Sequence, residues 1–119
     1  ARPTAEQHRA ACETLLQHVE RVAAVLRAAV AGEVAPEQGR QQIAALQPDG
    51  DAAVQQRKRL GAADSPEVVA VYSELEPRRR RAFEEFNQLC LRLTGKNALL
   101  TAAQGQVFAA IEALVAKPR

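Results

Sequence analysis

The stretch CLRLTGKNALLTAAQGQVF, Cys90 to Phe108, carries two opposed signals. Its Thr-Gly and Leu-Thr pairs and two glycines read as stops. Its apolar spacing reads as continuity. Phe86, Cys90, Leu93, Asn97, Leu100, Gln104, Val107, Ile111 and Leu114 are separated alternately by four and three residues, which is a heptad seam. Gly95 and Gly105 fall outside the seam, where a glycine costs about 1 kcal/mol of helix propensity without disturbing packing. The seam predicts one long helix over about 78–116, continuous from 86 to 114. Gly95 then points outward, and Asn97 and Gln104 face other helices.

Upstream, Thr4-Ala-Glu-Gln7 has the form of a capping box. Cys12, Leu16, Val19, Ala23, Leu26 and Val30 follow at helical spacing, widened by Leu15, Val22 and Ala29. This predicts an amphipathic helix over 4–31, closed by Gly32. Pro36 sits where a helix start tolerates it. Ile43 and Leu46 give that segment a small apolar face, and QPDGD at 47–51 reads as a turn. Ala52 to Leu60 has few apolar anchors. Ser65-Pro66 reads as an N-cap and first turn, and Pro77 as a kink or a new start. The class expected is all-α: a single domain, 1–119, forming an antiparallel helical bundle with two long helices and shorter connecting helical segments.

Composition narrows the function. Alanine supplies much of the 47% apolar content and aromatics only 3%, which suits closely packed helices better than a deep ligand pocket. Sixteen basic and 14 acidic residues leave a net charge of +2, which does not point to nucleic acid. No apolar run approaches the roughly 20 residues of a bilayer span, so no membrane insertion is expected. No signal peptide is recognisable and there is no Met, which leaves the compartment open. No Ser-His-Asp order, phosphate loop or carboxylate cluster occurs, and His8 and His18 lack metal-ligand spacing. Neither an enzyme nor a cofactor is expected. Cys12 and Cys90 read as small buried apolar side chains on core stripes, near each other in space, or as one disulfide in an oxidising compartment.

Two groups of residues bear on binding. Asn97 and Gln104 occupy seam positions, either as a polar layer that fixes register or as a side turned to a partner or to water. Leu91 and Leu99 are expected on the outer side of the long helix, with Phe108 and Val115 flanking the seam. Either the middle segments cover them or they form an exposed strip for a partner helix. The partner surface expected is therefore Leu99, Phe108, Ile111 and Val115, with Asn97 beside them. Arg78–Arg81 lie near the expected start of the long helix, where Arg80–Glu84 and Arg81–Glu85 pairing is the ordinary reading.

The C-terminal part resembles the FlgN-type flagellar export chaperones. TGKNALL stands where that family has Asn, two residues, then Asn-Gly: Asn97 matches the second Asn, with Thr94 and Ala98 at the other two positions. FAAIEALVAKP is similar to the family's closing run, and AAVQQRKRLGAA to the basic segment that precedes its central loop. The resemblance spans 52–118 loosely. It implies a cytoplasmic type III export chaperone that binds the C-terminal helical region of hook–filament junction proteins. A second resemblance is to the Spy- and CpxP-like periplasmic chaperones, through Leu100-Thr101-x-x-Gln104 and the similar Pro3-Thr4-x-x-Gln7. A structural helical module that forms a homodimer is the third expectation.

Overall fold

Thr4 begins the first helix as its capping box requires: its hydroxyl accepts from the Gln7 N–H at 3.2 Å, and the Gln7 side chain accepts from the Thr4 N–H at 2.8 Å. The computed structural model describes residues 2–115. They form four helices, α1 (Ala5–Val30), α2 (Pro36–Arg59), α3 (Pro66–Arg92) and α4 (Asn97–Leu114), and no strand. Pro36 and Pro66 lie in first turns, and the Ser65 hydroxyl accepts from the Val68 N–H at 3.3 Å. The all-α bundle expected from the sequence is the one observed.

Cross-links between helices define the topology. Arg9 meets Glu74, Glu20 meets Arg78 and Arg27 meets Glu85, so the numbers ascend together and α1 runs parallel to α3. His18 packs on Gly50 and Arg21 faces Asp49, which makes α1 and α2 antiparallel. Leu99 lies over Gly39 and the Gln106 amide donates to the Ile43 carbonyl at 2.8 Å, so α2 and α4 are parallel. The chain therefore runs up, down, up, down. The α2–α3 connection carries the chain past α1, so the α2 and α3 backbones do not pack on each other and meet only through side chains such as Arg57 and Tyr72. α1 touches all three other helices, and for that reason Cys12, Leu15, Leu16, Val19, Val22 and Leu26 are wholly buried.

The continuous helix expected over 86–114 is broken. Between α3 and α4 the chain turns at 93–96, with Gly95 at φ +95°. Leu93 is buried and donates to the Leu89 and Cys90 carbonyls, the Thr94 hydroxyl donates to the Leu91 carbonyl, and the Lys96 N–H to the Leu93 carbonyl. The unbroken seam has a simple cause. In a helical hairpin both arms must turn an apolar stripe toward the same core, so the seam folds back on itself. Thr94-Gly95 was the true stop signal. Gly95→Ala is therefore expected to lower stability by about 1 kcal/mol, since alanine resists positive φ. A stability equal to the parent in urea denaturation counts against this turn.

Three other expectations change. QPDGD is not a turn: α2 runs through it with Pro48 inside the helix, because the packing of Gly50 on His18 overrides local propensity. The four arginines lie mid-helix in α3, which continues through Pro77. Arg78 pairs with Glu20, and Arg79 and Arg80 with Glu76, rather than Arg80 with Glu84 and Arg81 with Glu85. Cys12 and Cys90 are free thiols, and they are not neighbours. Cys12 lies beside Tyr72, and 18 residues of α3 separate Tyr72 from Cys90, about 27 Å of helix.

One end of the bundle holds a buried polar network. His8 Nδ1 and the Tyr72 hydroxyl are 2.9 Å apart, and the Arg57 guanidinium sits 5.0 Å from the centre of the Tyr72 ring. Arg57 also donates to the Gly61 carbonyl at 2.7 Å, tying down the α2–α3 crossover. Burial, with Arg57 nearby, holds the His8 imidazole below its ordinary value, and burial raises both the Tyr72 hydroxyl and the Cys12 thiol. The network is thus largely neutral apart from Arg57, whose charge faces an aromatic ring.

Candidate functional site

α3 and α4 meet only thinly along their length and leave part-exposed apolar side chains of both helices between them, a strip termed the groove. Its α3 wall is built by Val69, Glu76, Phe83 and Cys90, spaced seven residues apart and hence on one side of the helix. The α4 wall carries Asn97, Gln104, Phe108, Ile111 and Val115. Phe108 bridges the two walls. Its ring lies edge-on to Phe83 and Phe86, with centroids 6.2 and 6.3 Å away. Phe86 is fully buried beneath, while Phe108 remains half-exposed at 49%. At the end of the groove near the α4 C-terminus, a cavity of about 230 Å³ is lined by Val69, Tyr72, Glu76, Arg79, Leu114 and Val115 among others. Among the described residues, three of the four large apolar side chains that are clearly exposed, Val69, Phe108 and Val115, belong to this groove. The fourth, Leu91, points away from the bundle.

The residues singled out from the sequence divide accordingly. Phe108, Ile111, Val115 and Asn97 share the α3-facing side of α4. Ile111 is half-buried and Asn97 exposed in the first turn, so Asn97 is not a buried register residue. Gln104 is half-buried beside the Cys90 thiol, whose pKa burial raises and the glutamine partly lowers. Leu99 does not join them. It is 1% exposed, on the α2 side, where Gly39 lets the helix backbones approach. Its assignment to the outer surface rested on the single long helix. Once the chain turns at Gly95, that side of α4 faces α2. Val69 and Phe83 were missed as groove residues, although their heptad spacing with Glu76 and Cys90 was visible.

The groove offers contact area rather than chemistry. The charged side chains at its open end among the described residues, Glu76 and Arg79, are paired with each other, and the arginine holds the Glu76 carboxyl below the usual carboxylate range. Among the described residues there is no group of three or more His, Cys, Asp or Glu able to hold a metal, and no helix long and apolar enough to cross a membrane. Neither a protein-family model, nor a curated protein, nor a solved structure matches the chain.

Proposed function

We propose that the protein is a non-enzymatic helical chaperone whose α3–α4 groove receives the apolar face of an amphipathic client helix. The observation that carries this reading is the heptad spacing of both walls. Val69, Phe83 and Cys90 on one side and Asn97, Gln104 and Ile111 on the other repeat as the anchors of a docked helix repeat. The client that the FlgN-type resemblance supplies is the C-terminal helical region of a flagellar hook–filament junction protein, met in the cytoplasm before export. The resemblance to Spy- and CpxP-like chaperones has less support: Thr101 lies inside α4 rather than capping it, although Thr4 does cap α1.

Replacing both Phe108 and Val115 by Ser removes half-exposed apolar surface and uncovers only the edge of the core at Phe86. Burying such side chains against a client contributes up to about 1.5–3 kcal/mol each, so the double variant should bind a junction-protein helical fragment at least tenfold more weakly. Its circular dichroism should match the parent. Calorimetry on the two proteins decides. Equal affinity removes the groove from the binding surface, and a parent that is dimeric in light scattering but monomeric as the variant makes the groove a self-association face instead.

A further inference from the structure

On the opposite side of α4, a second depression lies between α2 and α4, with a volume of about 300 Å³. His18 reaches its floor from α1. The imidazole is 4% exposed, and neither ring nitrogen has a hydrogen-bond partner. Gln106 lies beside it, close enough to influence the ring, but no hydrogen bond of normal geometry joins them. The Gln106 amide nitrogen is committed to the Ile43 carbonyl, so its buried Oε1 is left without a donor. Buried polar atoms are rarely left unpaired, because each costs free energy comparable to a lost hydrogen bond.

Two helix-interior glycines shape the site, one by admitting the ring and one by leaving space open. Gly50 of α2 has the imidazole where its Cβ would be, and Gly105 of α4 faces space in which a Cβ meets nothing within 4 Å. The remaining polar groups at the mouth are the Thr101 hydroxyl, the Gln47 amide and the Asp51 carboxylate, which forms no ion pair among the described residues. Among the described residues no Lys or Arg lines the depression. Arg21 reaches His18 only from the neighbouring groove between α1 and α2, where it faces Asp49 at 4.0 Å.

We infer that this depression is a binding site for a small organic cation rich in N–H donors, an amine or amidine, held by Gln106 Oε1, an unprotonated His18 nitrogen and the Asp51 carboxylate. Acceptors converge there from three helices, with one uncompensated negative charge. Burial holds the His18 imidazole below its ordinary value of 6.5, which keeps a ring nitrogen available as an acceptor at neutral pH. Val54, Ala102 and Ala109 offer apolar contact to a short alkyl chain. The same chemistry is available from a free metabolite and from a Lys or Arg side chain of a bound protein.

The test is titration of the full chain with butylammonium, methylguanidinium and blocked tripeptides centred on Lys or Arg, read through the His18 ring nitrogens by nitrogen-15 NMR. A saturable shift with the small cations is expected. A matching response to the tripeptides assigns the site to a partner side chain, and its absence assigns it to a free molecule. Gly105→Leu grows a side chain into the depression from a position where its Cβ meets nothing within 4 Å, and Asp51→Asn removes the charge. Each should weaken binding about tenfold or more at unchanged helical content. No saturable response to any of the cations, an equal response to acetate, or full affinity in both variants overturns the inference.

Discussion

Leu99→Ala is expected to remove about 2–5 kcal/mol of stability, the usual cost of truncating a wholly buried leucine. Its Cδ1 lies 3.4 Å from where a Cβ on Gly39 would be, so the side chain packs directly on α2. With domains of this size stable by only about 5–15 kcal/mol, such a loss is a large part of the total. Urea denaturation of the variant beside Phe108→Ala separates core from groove. Phe108 keeps half its surface in water, so its truncation should cost clearly less. A Leu99→Ala loss below about 1 kcal/mol returns Leu99 to the surface, contrary to the helix break at Gly95.

The second large effect is at Gly50. An alanine Cβ there would lie 2.3 Å from His18 Nε2 and within 3 Å of two further ring atoms, so the imidazole must leave its place. The alanine gains about 1 kcal/mol in helix propensity. Displacing a packed ring costs about 1–3 kcal/mol, and Gly50→Ala is expected to be destabilising on balance. At Gly39 the nearest atom to the same Cβ is at 3.4 Å, an ordinary contact, and there propensity should win and the alanine stabilise. Combining Gly50→Ala with His18→Ala removes the clash, so thermal unfolding should show a double variant more stable than the sum of the single losses implies. Strict additivity would mean that the two residues do not touch.

These two sites mark what was legible in the sequence. α1 was readable almost to the residue, because its capping box and its wide apolar stripe agree and because α1 is buried on most sides. The positions Phe108, Ile111, Val115 and Asn97 were also readable as one side of a helix. The break at 93–96 was not, since periodicity cannot distinguish one long helix from a hairpin whose arms share a core. That single ambiguity moved Leu99 from core to surface. The helix through Pro48 was hidden for another reason: the advantage of a glycine at position 50 appears only when His18 arrives from 32 residues upstream. Arg78 likewise looked local because its acidic partner Glu20 is distant in the chain.

The parallel pairing of α1 with α3 bears on how fast the chain reaches its structure. α1 and α2 can close through a short turn at 31–35, but the links from α1 to α3 join residues 58–65 apart in sequence. Forming them requires a long loop to close before any of those contacts stabilise the product. Helical bundles that pair only successive neighbours avoid this delay and are among the quickest small domains. Here the transition state must gather both ends of a chain segment about half the molecule long. Refolding should therefore be slower than helical content alone suggests, with the crossover held by Arg57 and Gly61 among the last parts to settle.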